Sequence, residues 1–135
     1  MMMNESQRKT LESTGILVGR SLIGFMFLFS GFGMFMGGAA AVGGYFGSVG
    51  VPFPMFSFYI VVIAKMVAGA ALILGYRVGL MAGALILFTI GATYFGHRDL
   101  SDEINQIMVL KNLAIIGGLL YVMAFGAGSG WKLGK

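Results

Sequence analysis

Four apolar blocks, residues 16–36, 56–75, 78–95 and 107–125, take up most of the chain and leave it few ways to fold. Each is about 20 residues long. At ~1.5 Å rise per residue a helix of that length crosses the ~30 Å hydrocarbon layer of a bilayer. Membrane strands would show alternating polarity, and these blocks show none. A soluble domain carries roughly 25% charged residues, against 10% here, with 58% hydrophobic. The expectation is an all-α membrane protein, a four-transmembrane-helix bundle.

The charges between the blocks orient that bundle. Both ends and the second loop fall on one side of the membrane, carrying Arg8, Lys9, Arg20, Arg77, Lys132 and Lys135. The other side has an uncharged first loop and a third loop with Arg98, Asp99, Asp102 and Glu103. The positive-inside rule then predicts that both termini are cytoplasmic, with Trp131 as an interface anchor after the last helix. The connection Gly75-Tyr76-Arg77 is too short for anything but antiparallel neighbours. An alternative reading makes the first block a signal peptide cut near Ala39-Ala40-Ala41. That block is longer than the roughly 7–15 residues of a usual signal core.

Three segments follow: a polar tail over 1–14, a membrane domain over 15–129 and a short basic tail over 130–135. Gly15 with Gly19, Ala64 with Ala68, and Gly79 with Gly83 form small-xxx-small pairs that suit close helix approach in lipid. The first loop, 37–55, is long, apolar and glycine-rich, and ends in Pro52-Phe53-Pro54. It is expected to lie on the membrane surface or fold back over the bundle; a flexible interfacial linker is the simpler alternative.

The net charge of +4 comes from basic residues scattered along the flanks of the blocks, a pattern that does not suit nucleic acid. There are no cysteines, which excludes disulfides and thiolate chemistry, and the single His97 cannot alone build a His-rich metal site or a bis-His haem. Neither a nucleophile–base pair nor a phosphate-binding glycine loop is recognisable.

Five polar residues remain as candidates for ligand or partner contacts. Arg20 lies about one turn inside the first block, with Gly24, Phe27 and Gly31 on the same helical face. It reads either as a cation snorkelling to headgroups or as an anion contact in the bundle mouth. His97, Lys111 and Asn112, with Asn105 and Gln106, gather at the outer ends of the third and fourth blocks. They read either as an ordinary hydrated loop base or as donors to a carbonyl, a quinone head or a phosphate. Lys65 sits in mid-block, where a lone cation costs roughly 2.5–3.5 kcal/mol. No acid lies within the four blocks. Lys65 is therefore neutral, or lines a wet cavity, or pairs with an acid from a loop, a ligand or another subunit.

In order along the chain, Gly19-Arg20, Phe27, Ser30-Gly31, Tyr45-Phe46, Gly50-Val51-Pro52, Leu72-Ile73-Leu74-Gly75 with Arg77, His97, Lys111-Asn112, Gly117-Gly118-Leu119-Leu120 and Gly126-Ala127-Gly128-Ser129 resemble the DoxX family. The resemblance implies a multi-pass protein of the bacterial inner membrane, in a family linked to terminal quinol oxidase and thiosulfate–quinone oxidoreductase systems. The chain departs from the family at Lys65, where similar members often carry Glu, near Met34, where a lysine is common, and after Ser129, where Ser-Leu-Asp is usual. A role for that Glu does not carry over.

Residues and resemblance together lead to a non-catalytic subunit or accessory protein of a larger, redox-linked membrane complex. Its expected partners are lipids and other membrane subunits or further copies of the chain. No intrinsic cofactor is implied. The alternative is a quinone-interacting oxidoreductase component, with His97, Lys111 and Asn112 around the quinone head and Arg20 or Lys65 supporting charge or proton movement. A small oligomeric transporter is a third reading.

Overall fold

The computed structural model describes residues 2–133. Met1, Gly134 and Lys135 lie outside the described residues, and with them the end of the 130–135 basic tail. Five helices follow one another: α1 (Glu5–Gly37), α2 (Ala39–Ser48), α3 (Pro54–Leu74), α4 (Val78–Gly96) and α5 (Glu103–Phe125). Among the described residues, α1, α3, α4 and α5 are long and apolar enough to cross a membrane. They form a ring in which α1 packs on α3, α3 on α4, α4 on α5, and α5 more loosely back on α1.

The first helix is longer than its apolar block. It starts at Glu5, with Asn4 and Gln7 forming a reciprocal capping box, and its 33 residues run about 50 Å. Most of the polar segment expected as a tail is thus the projecting first turns of α1. The helix stops at Gly38, whose φ of 91° is natural only for glycine. The first loop is not a flexible linker. Ten of its residues form α2, which folds back on the start of α3. Gly43 is buried where α2 meets the start of α3, facing the Met55 side chain.

The α1–α3 contact is the tightest in the ring. The buried residues of α1 are Arg20, Gly24, Phe27 and Gly31, the face expected from their spacing. A Cβ on Gly24 would lie 2.5 Å from the Gly69 carbonyl oxygen, and one on Gly69 would lie 2.6 Å from the Gly24 oxygen. The helices therefore cross backbone to backbone at Gly24 and Gly69. The two glycine pairs expected to do this do not. A Cβ on Gly15, Gly19 or Gly79 would meet nothing within 4 Å, and one on Gly83 would meet only Met123 at ordinary distance. Within the second pair, Ala68 is buried in the core and Ala64 is half-buried. The core joins Phe27, Leu72, Ala82, Leu85, Leu119 and Val122 across all four long helices.

The α3–α4 turn, the projecting part of α1 and the segment after α5 share one end of the bundle. Leu133 donates its amide to the Leu74 carbonyl at 2.6 Å, and Gly128 and Gly130 pack on Ile16 and Leu17 of α1. At the other end, Arg98 reaches from the α4–α5 loop to the Val49 carbonyl at 3.0 Å, tying that loop to the end of α2.

Candidate functional site

Arg20 is fully buried and does not snorkel. Its Nε donates to the Ala127 carbonyl at 3.1 Å, and Nη1 donates to the carbonyls of Leu72 at 2.6 Å and Ile73 at 2.9 Å. Nη2 donates to the Trp131 carbonyl. Leu72 and Ile73 lie in the last turn of α3, where carbonyls have no partner within the helix and carry the negative end of its dipole. A planar fork of five N–H groups suits four such acceptors. The anion contact expected as one reading of Arg20 has no place here, because its donors are directed at the protein's own backbone. Trp131 has an exposed ring, as an interface anchor needs, while its carbonyl serves Arg20.

Lys65 is only 8% exposed. Its ammonium donates to Ser30 Oγ at 2.6 Å and to Met34 Sδ at 3.4 Å, and stands 5.1 Å from the centre of the Phe88 ring. Ser30 and Met34 are one turn apart on α1. Gly31 between them lets α3 pass, since a Cβ there would meet the Lys65 Cβ at 3.0 Å. No acidic side chain is among these partners. Sequence reasoning misses Ser30, Met34 and Phe88 as the surroundings of Lys65. They come from two other helices, and the Gly24–Gly69 crossing sets the register of α1 against α3. Nothing local in the sequence pairs them with Lys65.

The outer polar group is only partly assembled. His97 Nδ1 lies 2.9 Å from Asn105 Oδ1, and Asn105 donates to the Asp99 carbonyl at 3.0 Å. Gln106 donates to the Leu100 carbonyl at 2.6 Å, and Asp102 caps α5 by accepting from the Ile104 amide at 2.9 Å. Hydrogen bonds from the Ser101 hydroxyl and amide hold the Asp99 carboxyl below the usual carboxylate range. Asn112 is separate. It donates to Thr93 Oγ1 at 2.8 Å, Thr93 donates to the Thr89 carbonyl, and Thr89 to the Leu85 carbonyl, each at 2.7 Å. Lys111, next to it, is exposed on α5. The side chains of His97 and Asn112 bond to different partners.

A cavity of about 670 Å³ opens between α2, α3 and α4. Its wall is mostly apolar and includes Met34, Tyr45, Phe56, Phe88 and Phe95, with His97 at the outer end. Two of these, Met34 and Phe88, also stand beside the Lys65 ammonium, as Ser30 does from outside the wall. A second hollow, about 440 Å³, runs between α1 and α5 and is lined by Gly15, Gly19 and Phe125 among others. Among the described residues no group of three His, Cys, Asp or Glu side chains is placed to hold a metal ion.

The DoxX family profile matches residues 15–98. The inner membrane protein YqjF of Escherichia coli K12 is 31% identical over 121 residues, covering 90% of this chain and 91% of that protein. No solved structure matches. With four membrane-length helices and an inner-membrane homologue of nearly equal extent, this is a multi-pass inner-membrane protein, and the chain belongs to the DoxX family.

Proposed function

We propose that this chain is a non-catalytic subunit or accessory protein of a larger membrane complex, inserted with both termini in the cytoplasm. The observation that carries this reading is how its polar side chains are used. Arg20 holds four backbone carbonyls, Asn112 holds Thr93 and His97 holds Asn105. These groups build the bundle and are not poised on a substrate. The hollow between α1 and α5 supplies a face for association. Gly15 and Gly19 lie in its wall with open space where their side chains would be, and small residues on a membrane helix admit a partner helix closely. The redox link of the complex rests on the family likeness alone, and the cytoplasmic placement of the termini on the charge asymmetry of the loops.

The test is extraction of the tagged full chain from its native membrane in mild detergent, followed by protein identification and a mass measurement. Another membrane protein or a second copy should co-purify with the wild type and be lost from Gly15→Leu/Gly19→Leu. A wild-type chain that emerges as a partner-free monomer overturns the proposal.

A further inference from the structure

Lys65 is buried and has more hydrogen-bond donors than the bundle takes up. An ammonium has three N–H donors, and here one oxygen, that of Ser30, and one weakly accepting thioether receive them. The cation faces no acid from any helix, because the four apolar blocks contain none. It is also directed. A helical side chain leans toward the N-terminus of its own helix, which for α3 is the end where the cavity lies. Met34 and Phe88, which stand beside the ammonium, also line the cavity. Methionine is unbranched and readily changes rotamer, so displacement of the Met34 thioether opens the cavity to the ammonium.

We propose that this cavity binds a single-chain amphiphile with a carboxylic acid head, a molecule of the fatty-acid class, with Lys65 as its counter-ion. The apolar, aromatic wall takes the chain. At about 670 Å³ the cavity is within the roughly 300–1,000 Å³ of small-molecule sites. Val42, Tyr45 and Phe46 of α2 form one side of it. The charge selects the head. The energy of burying the Lys65 cation is already spent in the folded protein, so a carboxylate arriving there meets an ammonium with little water to displace. A neutral ester or quinone carbonyl would receive a hydrogen bond but no charge compensation. The site is complete within one chain and does not depend on the proposed assembly.

The test uses the full chain in phosphatidylcholine nanodiscs with the fluorescent polyene cis-parinaric acid as probe. Saturable binding at one site is expected. Palmitate should displace the probe at roughly tenfold lower concentration than methyl palmitate or a neutral long-chain quinone, as one buried charge pair implies. Lys65→Met should erase that preference and Lys65→Arg should keep it. Gly91→Leu should abolish binding, because it projects from the cavity wall into space where a Cβ meets nothing within 4 Å. The proposal is overturned if the wild type binds no probe saturably, if acid, ester and quinone compete equally, or if Lys65→Met still prefers the acid.

Discussion

Arg20 and Lys65 have the same formal charge, lie on facing helices, and are both buried. What separates them is the acceptors each meets. Arg20 meets four carbonyl oxygens and is structural; Lys65 meets one hydroxyl and is left with unused donor capacity. Arg20→Met would strand the end of α3 and the chain after α5, and we expect a loss of roughly 2–6 kcal/mol, since the Ala127 and Leu72 carbonyls are buried and each buried acceptor left bare costs about 1–3. Arg20→Lys should recover only a fraction, because an ammonium lacks the planar fork. Unfolding in detergent by circular dichroism reads both. Sequence spacing correctly puts Arg20 on the buried face with Gly24, Phe27 and Gly31. It cannot reveal the acceptors, which are backbone atoms 52 to 111 residues away. For Lys65 the mid-block position and the lack of an acid are legible in the sequence, but not Ser30 or the cavity.

Among the elements, glycine has two opposite roles. Gly24 and Gly69 lie where backbones touch; Gly15 and Gly19 lie where nothing does. Spacing alone cannot tell these cases apart, which is why the small-xxx-small pairs are not the residues at the helix crossing. The contrast has a measurable form. Gly24→Ala must push α1 off α3 and should destabilise the chain by about 1–3 kcal/mol. Gly15→Ala should leave stability unchanged or raise it by up to ~1 kcal/mol through helix propensity. Thermal unfolding of the two variants side by side checks the pair. The same element scale explains why α2 is not legible as a helix in the sequence. Its glycine-rich segment has poor intrinsic helix propensity, and the helix is supported from outside, by packing on α3.

At the scale of the molecule the ring is held unevenly. The α1–α3 and α4–α5 pairs pack closely, and α1 meets α5 loosely. Arg20 compensates at one end, linking α1 to α3 and to the segment after α5. If that segment acts mainly through Arg20, removing residues 127–133 and replacing Arg20 by Met should each destabilise the protein. Both together should then cost clearly less than the sum. A double-mutant cycle on unfolding free energies measures this coupling. Simple additivity would mean that the segment is held by its packing on Ile16 and Leu17 instead.

Arg20 also imposes an order on biogenesis. The ribosome delivers α1 to the membrane more than fifty residues before the carbonyls of Leu72 and Ile73 exist, and Trp131 is made 111 residues after Arg20. During that interval the guanidinium has no permanent acceptors, so a nascent α1 must hold it at the lipid–water boundary or against the insertion machinery. The Arg20 contacts are complete only when the stretch carrying Ala127 and Trp131 arrives and folds back. A polypeptide stalled or truncated before that point keeps an unsatisfied charge in its first helix, the feature by which membrane quality control would tell it from a finished one.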